Sequence, residues 1–399
     1  MPHDFGSDGY PRLEATRALA HGQLLDTPYS LVMSIVALPL YHFGDILAEF
    51  NMFVLMIGLA AFAAILWRHV PLTILRRSIL IVLAASMFGH HSQSFFGETL
   101  TAMCVTVGLA WMATNTAWLG TPALVVGAIN APATVPALFL SSAASARPPR
   151  RYIKAMLPAL LAIAGIMLEF YIRRGNPFTN GYGDDHGEKS IMPYSGLPGF
   201  SYPFAFGILS ILFSFGKGLA LYIPGLWLMF KRTVMRVPDA LHAFQRQAGW
   251  FVIGLVLTYA KWWSWPGGWF WGPRFFLFAC IPASIAIAMH LSDEEATPSA
   301  KALTLLILGW SAWVGISGSV YGQLDMSICN EQPNLEPLCW YSPEFSALFR
   351  PFIVGKALSV NEMIVFAYSA AAGLVLAAPL VPGLLACVRA LVTRRPPEV

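Results

Sequence analysis

Ionisable residues are scarce in this chain, and several of the few present stand where they can do chemistry. Asp8 lies in a Ser-Asp-Gly turn, within FGSDGYPRLEATRALAHG, just before a stretch of amphipathic helical spacing. A carboxylate held there, at a membrane–water boundary, is available as a general base. The plainer role for an aspartate at that place is to cap the helix that follows. Asp4 is a weaker candidate four residues earlier. Glu98, in MFGHHSQSFFGETLTAM, sits at the junction of two apolar runs. An ionisable group there is expensive unless it faces a cavity or a partner, and capping is again the alternative. The adjacent His90 and His91 read as solvated interface residues and not as metal ligands.

Three cations extend the set. Lys217 stands between glycines in FSFGKGLALYIPGLW, inside an otherwise apolar run. Such a lysine is a functional candidate, or else its ammonium snorkels to the interface. The stretch KWWSWPGGWFWGPRFF holds Lys261, five tryptophans and Arg274. A membrane-interface belt accounts for the tryptophans. It does not account for Arg274, fixed behind Gly-Pro at the head of the next apolar run, where its guanidinium suits bidentate contact with a phosphate. Cys329 and Cys339 share one polar stretch, SICNEQPNLEPLCW, and are able to pair if it faces an oxidising compartment. Cys104, Cys280 and Cys387 read as small hydrophobes in apolar segments, and no spacing resembles a zinc site.

The elements that must position these groups follow from composition. The 399 residues are 56% hydrophobic and 12% charged, against about 25% charged in a soluble domain. The chain therefore reads as an all-α, polytopic transmembrane helical bundle. Its basic residues lie in short clusters between apolar runs, which excludes a nucleic-acid partner. Apolar runs cover roughly 29–44, 50–67, 78–90, 95–114, 117–140, 153–172, 202–230, 248–260, 275–290, 302–320 and 360–388. Several fall short of the ~20 residues a crossing needs, so 29–44 and the halves of 117–140 read as interfacial or re-entrant. The interruption GAINAPATVP at 127–136 suggests a broken helix beside a cavity. The stretch 1–48 is expected to be an external loop with interfacial, amphipathic helices, 49–320 the transmembrane core, 321–358 a second external loop, and 359–399 the last membrane helix with its tail.

The basic clusters set the orientation. Arg68, Arg76 and Arg77, then Arg147, Arg150, Arg151 and Lys154, then Lys231, Arg232, Arg236 and Arg246, and finally Arg389, Arg394 and Arg395 are cytoplasmic by the positive-inside rule. Asp8, Glu98, Asp184, Asp185, Glu188, Lys217, Lys261 and Arg274 then share the outer face. The loop holding the three middle acids shows no motif of its own and reads as solvated.

Read in order, these segments resemble integral-membrane glycosyltransferases of the GT-C fold, in particular bacterial members related to protein O-mannosyltransferases and to the aminoarabinose transferase of lipid A (glycosyltransferase family 39-like). SDGYPRLEATRALAHGQL is similar to the family's first external loop, SQSFFGETLTA to its aromatic-Phe-x-Glu segment, and NPFTNGYGD with FSFGKGLALYIPGLWL to a bacterial NP-TGYG…SPGKGLFLYSP pattern. WWSWPGGWFWGPRFF resembles a W-GGW-WGPR stretch, and CWYSPEFSALFRP a late external loop. The resemblance implies Asp8 as catalytic base and Glu98 as a supporting carboxylate that orients acceptor or metal. It implies Lys217, Arg274, Lys261 and Tyr182 as substrate contacts, the cations at a phosphate. It further implies an inner-membrane enzyme, active on the periplasmic face, that moves a sugar with inversion from a polyprenyl-phosphate donor in the membrane lipid to a glycan, lipid or protein acceptor. Some members use a divalent cation, Mg or Mn.

The sequence departs from the family pattern in three places. Ser-Phe-Gly-Lys replaces Ser-Pro-Gly-Lys, GAINAPATVPAL lacks a Thr-Arg-Pro, and no transmembrane helix precedes Asp8. The last departure raises the expectation of a start placed too late, or of an inactive truncated glycosyltransferase. A transporter or flippase of a lipid-linked or anionic substrate is the alternative from another class, since broken helices and an intramembrane lysine suit it too. The chain shows no internal repeat of the transporter kind.

Overall fold

A computed structural model describes residues 5–382, except 7, 115, 146–151, 183–190, 193–194, 232, 234, 236, 325, 327–328 and 330. Asp4, Asp184, Asp185, Glu188, Cys387, Arg147, Arg150, Arg151, Arg232, Arg236, Arg389, Arg394 and Arg395 lie outside the described residues. Among those described the chain is helical, with no strand. In order, the helices are α1 (Gly9–Ala20), α2 (Val32–Tyr41), α3 (Phe50–Leu66), α4 (Leu72–Ala84), α5 (Phe88–His91), α6 (Gly97–Ala113), α7 (Ala117–Asn130) and α8 (Val135–Ser145). They continue as α9 (Tyr152–Arg174), α10 (Phe204–Phe213), α11 (Leu219–Tyr222), α12 (Asp239–Tyr259), α13 (Cys280–Leu291), α14 (Pro298–Ile316), α15 (Glu336–Tyr341) and α16 (Val360–Ala377).

Among the described residues, five segments are long and apolar enough to cross a membrane: Gly44–Leu66, Ala155–Arg174, Arg274–Leu291, Pro298–Tyr321 and Val360–Ala377. These are the features of a multi-pass membrane protein. Helix α2, with 10 residues, reaches only about 15 Å at 1.5 Å per residue. The break expected at GAINAPATVP is present: α7 ends at Asn130, Pro132–Thr134 forms a 3-10 turn, and α8 starts at Val135. Sequence punctuation also sets other boundaries. Thr297 caps α14 by accepting from the Ala300 N–H, and Ser359 with Glu362 forms a reciprocal cap on α16.

The helices pack as two groups. One holds α3, α6, α7, α8, α9 and α12; the other holds α4, α13, α14 and α16. The 3-10 segment Arg274–Ala279 touches α6, α12 and α13, and so joins the groups at one end. From there the Arg274–Leu291 segment runs 18 residues to the opposite end, roughly 27 Å away. That opposite end carries Arg68, Arg76 and Arg77, placed by the short connection from α3 to α4. The N-terminal α1 and α2 pack on each other. Leu13, Met33 and Ala37 from this pair share a small apolar core with Phe50, Phe95 and Leu100 of the bundle.

Close packing between α6 and α7 depends on glycine. A Cβ added at Gly120 would stand 2.4 Å from the Gly108 carbonyl oxygen, a backbone atom that cannot swing away. Small residues allow this approach where membrane helices lack a hydrophobic drive to associate. Gly120→Val is expected to part the two helices and destabilise the fold by about 2 kcal/mol. Thermal unfolding in detergent checks this, and an unchanged melting temperature would show the approach to be dispensable.

Candidate functional site

Asp8 and Glu98, ninety positions apart, converge on Arg274. An Arg274 Nη2 to Asp8 Oδ2 contact measures 2.7 Å, and Nη1 lies 3.6 Å from Glu98 Oε1. Neither carboxylate caps its helix: Asp8 stands at the N-cap of α1 and Glu98 in the first turn of α6, and neither helix has a side-chain cap bond. Their charges go to the arginine instead. Arg274 is 6% exposed, and its guanidinium carbon lies 4.2, 5.2 and 5.5 Å from the ring centres of Phe270, Phe275 and Phe96. Burial of a guanidinium in such a setting costs several kcal/mol unless it is paired. The two carboxylates supply that pairing, and the aromatic faces add attraction.

Each partner is positioned by buried polar bonds. The Asn51 side-chain amide, from α3, donates to the Ser94 and Phe96 carbonyls. The Asn130 amide, at the end of α7, donates to the Gly97 carbonyl and to Thr101 Oγ1. Together they fix the backbone on both sides of the α6 start, and so the aim of Glu98. The helix break in GAINAPATVP thus brings Asn130 to the site. On the other flank, Arg173 donates to the carbonyls of Leu25, Thr27 and Tyr29, while Glu169 accepts from the Leu31 N–H and the Ser30 hydroxyl. The end of α9 therefore holds the segment 25–31 over the carboxylates.

Lys217 holds Arg274 indirectly. Its ammonium, 1% exposed, donates to the carbonyls of Gly268, Phe270 and Gly272. An ammonium has three donors, so all are used on the loop that leads into Arg274. Gly267, Gly268 and Gly272 take φ of 75°, 76° and 69°, a left-handed backbone that L side chains resist, and the turns they allow aim those carbonyls inward. The Lys217 Nζ also lies 5.0 Å from the Trp340 ring centre, and Trp340 stacks on Trp269 at 5.1 Å. Cys339, next in sequence to Trp340, is joined to Cys329 in a disulfide. The structure thus makes Lys217 a clasp of the loop and neither a snorkelling side chain nor a free cation. On the far side the same loop walls a pocket of about 260 Å³ lined by Trp269, Phe270, Gln323, Met326 and Trp340.

Sequence reasoning passed over two further site residues, Arg12 and Tyr29. Arg12 is 7% exposed, with Nε and Nη1 buried and without a hydrogen-bond partner among the described residues. Its guanidinium lies 4.4 Å over the Tyr29 ring centre and against Gly97, where an added Cβ would meet Nη1 at 2.9 Å. Burial first, then the charge of Asp8, pushes the Tyr29 phenol above its usual range, so it keeps its proton and bonds the Asp8 carboxylate. The available signal was the spacing of Gly9, Arg12, Leu13 and Thr16, all buried on one face of α1: a charge on the apolar face of an amphipathic helix needs a reason.

Tyr182 stands at the rim, 36% exposed, its ring 5.7 Å from that of Trp262. Its phenol is pushed up by burial, and the charges of Arg12, Asp8, Arg274 and Glu98 all reach it. Lys261 is exposed and makes no ion pair with either carboxylate. The belt explanation does not hold for every tryptophan, since Trp265 and Trp271 are core residues at 4% and 1% exposure. Of the two histidines, His91 is not solvated and His90 is half-buried. The His90 ring meets the Gly318 carbonyl at 2.9 Å, and His91 is 1% exposed beside Trp271.

A divalent cation is poorly matched to this donor set. Among the described residues no three His, Cys, Asp or Glu side chains cluster as ligands, and the two carboxylates already face a guanidinium.

Lys217→Met should leave three buried carbonyls unpaired and destabilise the protein by roughly 3 kcal/mol or more. Lys261→Met removes an exposed side chain and should change little; equal melting temperatures for the two would refute the clasp.

Burial, aided by the charges of His90, Arg274 and Lys217, holds the His91 pKa well below its ordinary value of 6.5. Above pH about 6.5 His91 is neutral both folded and unfolded, so it contributes no pH dependence. Below that value the unfolded chain binds a proton that the folded chain does not, and stability falls with falling pH. The melting temperature should therefore drop between pH 7.5 and 5.5, roughly, and His91→Phe should lessen the drop. Identical pH profiles would remove His91 as the cause.

Comparison with known proteins matches this chain to no family model, no curated protein and no solved structure.

Proposed function

We propose that the protein is a membrane glycosyltransferase. It transfers a sugar from a polyprenyl-phosphate donor to a cell-envelope acceptor, with inversion, on the outer face of the membrane that bounds the cytoplasm. The observation that carries this reading is the convergence of Asp8 and Glu98 on buried Arg274, beside a second buried guanidinium, Arg12, that has no carboxylate ion pair among the described residues.

The charge balance suits phosphate departure. Two carboxylates and two guanidinia sum to zero before reaction. Asp8 takes the proton of an acceptor hydroxyl or amine, whose oxygen or nitrogen attacks the anomeric carbon while the bond to the phosphate oxygen breaks. The site then carries one net positive charge as the leaving phosphate gains one negative charge. Preorganised charge of this kind stabilises a transition state without reorganisation at the moment of reaction. Arg274 is engaged by the carboxylates and acts chiefly to orient them. Both guanidinia keep an unbonded Nε and Nη1 among the described residues; Arg12, which has no carboxylate ion pair among them, is the better phosphate contact, and Tyr182 lines the entry.

The test uses a deletion strain and the full-length protein. Loss of the gene should shift the mass of one cell-envelope glycan, and the wild-type protein should restore it. Asp8→Asn should fail to restore it at equal protein level, with transfer reduced about 10²–10⁴-fold. Arg12→Gln should raise the donor KM more than it lowers kcat. A glycan unchanged by deletion would sink the reading, and full activity of Asp8→Asn would remove Asp8 as base.

A further inference from the structure

A second pocket, of about 400 Å³, lies at the end of the bundle away from the carboxylates. It is framed by the start of α4, the end of α13, the start of α14 and the residues after α16. Arg77 and Lys301 line it, with Thr73 and the carboxylate-bearing Glu294. Both cations are fixed by their neighbours. Arg77 Nη1 donates to the Leu291 carbonyl at 2.9 Å and to Ser292 Oγ at 2.7 Å. Lys301 Nζ donates to the Glu294 carbonyl at 2.7 Å. Each bond leaves further donors over: the guanidinium has five and the ammonium three. The starts of α4 and α14 add partial positive charge from their first N–H groups.

The surroundings of the pocket are those of a bilayer edge. Leu72, at the head of α4, is 48% exposed, and Leu374 and Val375, one turn before the pocket residue Pro379, are 73% and 66% exposed. Apolar surface therefore runs up to the mouth along α16. Trp67, 56% exposed with the Arg68 guanidinium 4.7 Å from its ring centre, stands four residues before the pocket residue Pro71. Aromatic and cationic side chains together at a helix end mark the headgroup level.

We propose that this pocket binds the headgroup of an anionic phospholipid. The phosphate meets Arg77, Lys301 and Thr73, and the acyl chains lie along the exposed face of α16. Its lining sets two cations against one carboxylate, and a pocket of net positive charge between helix ends is suited to such a headgroup. The apolar approach favours a lipid over free phosphate. The ligand would tie α4, α13, α14 and α16 together at the end where Arg77 already bonds α4 to α13.

The full-length protein in detergent is equilibrated with equimolar phosphatidylglycerol and phosphatidylcholine, and the lipids retained are counted by native mass spectrometry. The wild type should retain phosphatidylglycerol in preference. Lys301→Glu should lower that preference roughly fivefold or more, whereas Arg76→Glu, an exposed neighbour outside the pocket, should not. If Lys301→Glu unfolds, Lys301→Gln is read in its place and should also lower it. No preference in the wild type, or an equal loss in Arg76→Glu, would overturn the site. Complete displacement of the lipid by millimolar inorganic phosphate would overturn the lipid as its occupant.

Discussion

The ion cluster at Arg274 is the constraint on which the rest of the site depends. A guanidinium enclosed by Phe96, Phe270 and Phe275 is tolerable only if opposite charge reaches it. Asp8 comes from the N-terminal segment and Glu98 from the start of α6, so the requirement binds three distant parts of the chain. The same requirement runs in reverse. Without Arg274, two carboxylates would face each other in a partly closed space. Neither partner is placed by its own helix alone, which is why buried amides from Asn51 and Asn130 are spent on the backbone next to Glu98.

A second layer of support fixes the loop that carries Arg274. Lys217 gathers three carbonyls of that loop, and Trp340 covers the lysine while its own carbonyl accepts from the Gly216 N–H at 3.0 Å. The Cys329–Cys339 disulfide closes the segment that delivers Trp340. The dependence thus runs from the disulfide to Trp340, then to Lys217, to the carbonyls of the loop, and finally to Arg274. A side chain with no direct contact to either carboxylate can in this way govern their geometry.

The sequence made some of this legible and hid the rest for physical reasons. Helical class, the break near Asn130 and the candidacy of Asp8, Glu98 and Arg274 came from apolar run lengths, from Pro and Gly placement, and from the cost of charge beside apolar surface. Pairing was not legible, because it depends on contacts between segments ninety and more positions apart. Lys217 shows the limit well. Its isolation between glycines flagged it, yet the same isolation suits a phosphate contact and a backbone clasp equally, and only the aim of three carbonyls decides between them. Trp265 and Trp271 stand among tryptophans that suit an interface belt, but composition cannot tell an aromatic belt from an aromatic core. Arg12 escaped notice because its partners, the Tyr29 ring and Gly97, carry no charge.

The two ends of the bundle share one structural element. The segment from Arg274 to Leu291 starts in the ion cluster and ends where Arg77 grips the Leu291 carbonyl. It is almost wholly enclosed, with 89% of its residues buried, so it cannot bend freely between close-packed neighbours. The segment is not one straight rod, since Phe276, with φ −104° and ψ 16°, breaks the helical run between the 3-10 turn and α13. One enclosed segment thus joins the ion cluster at one end to the Arg77 bond at the other.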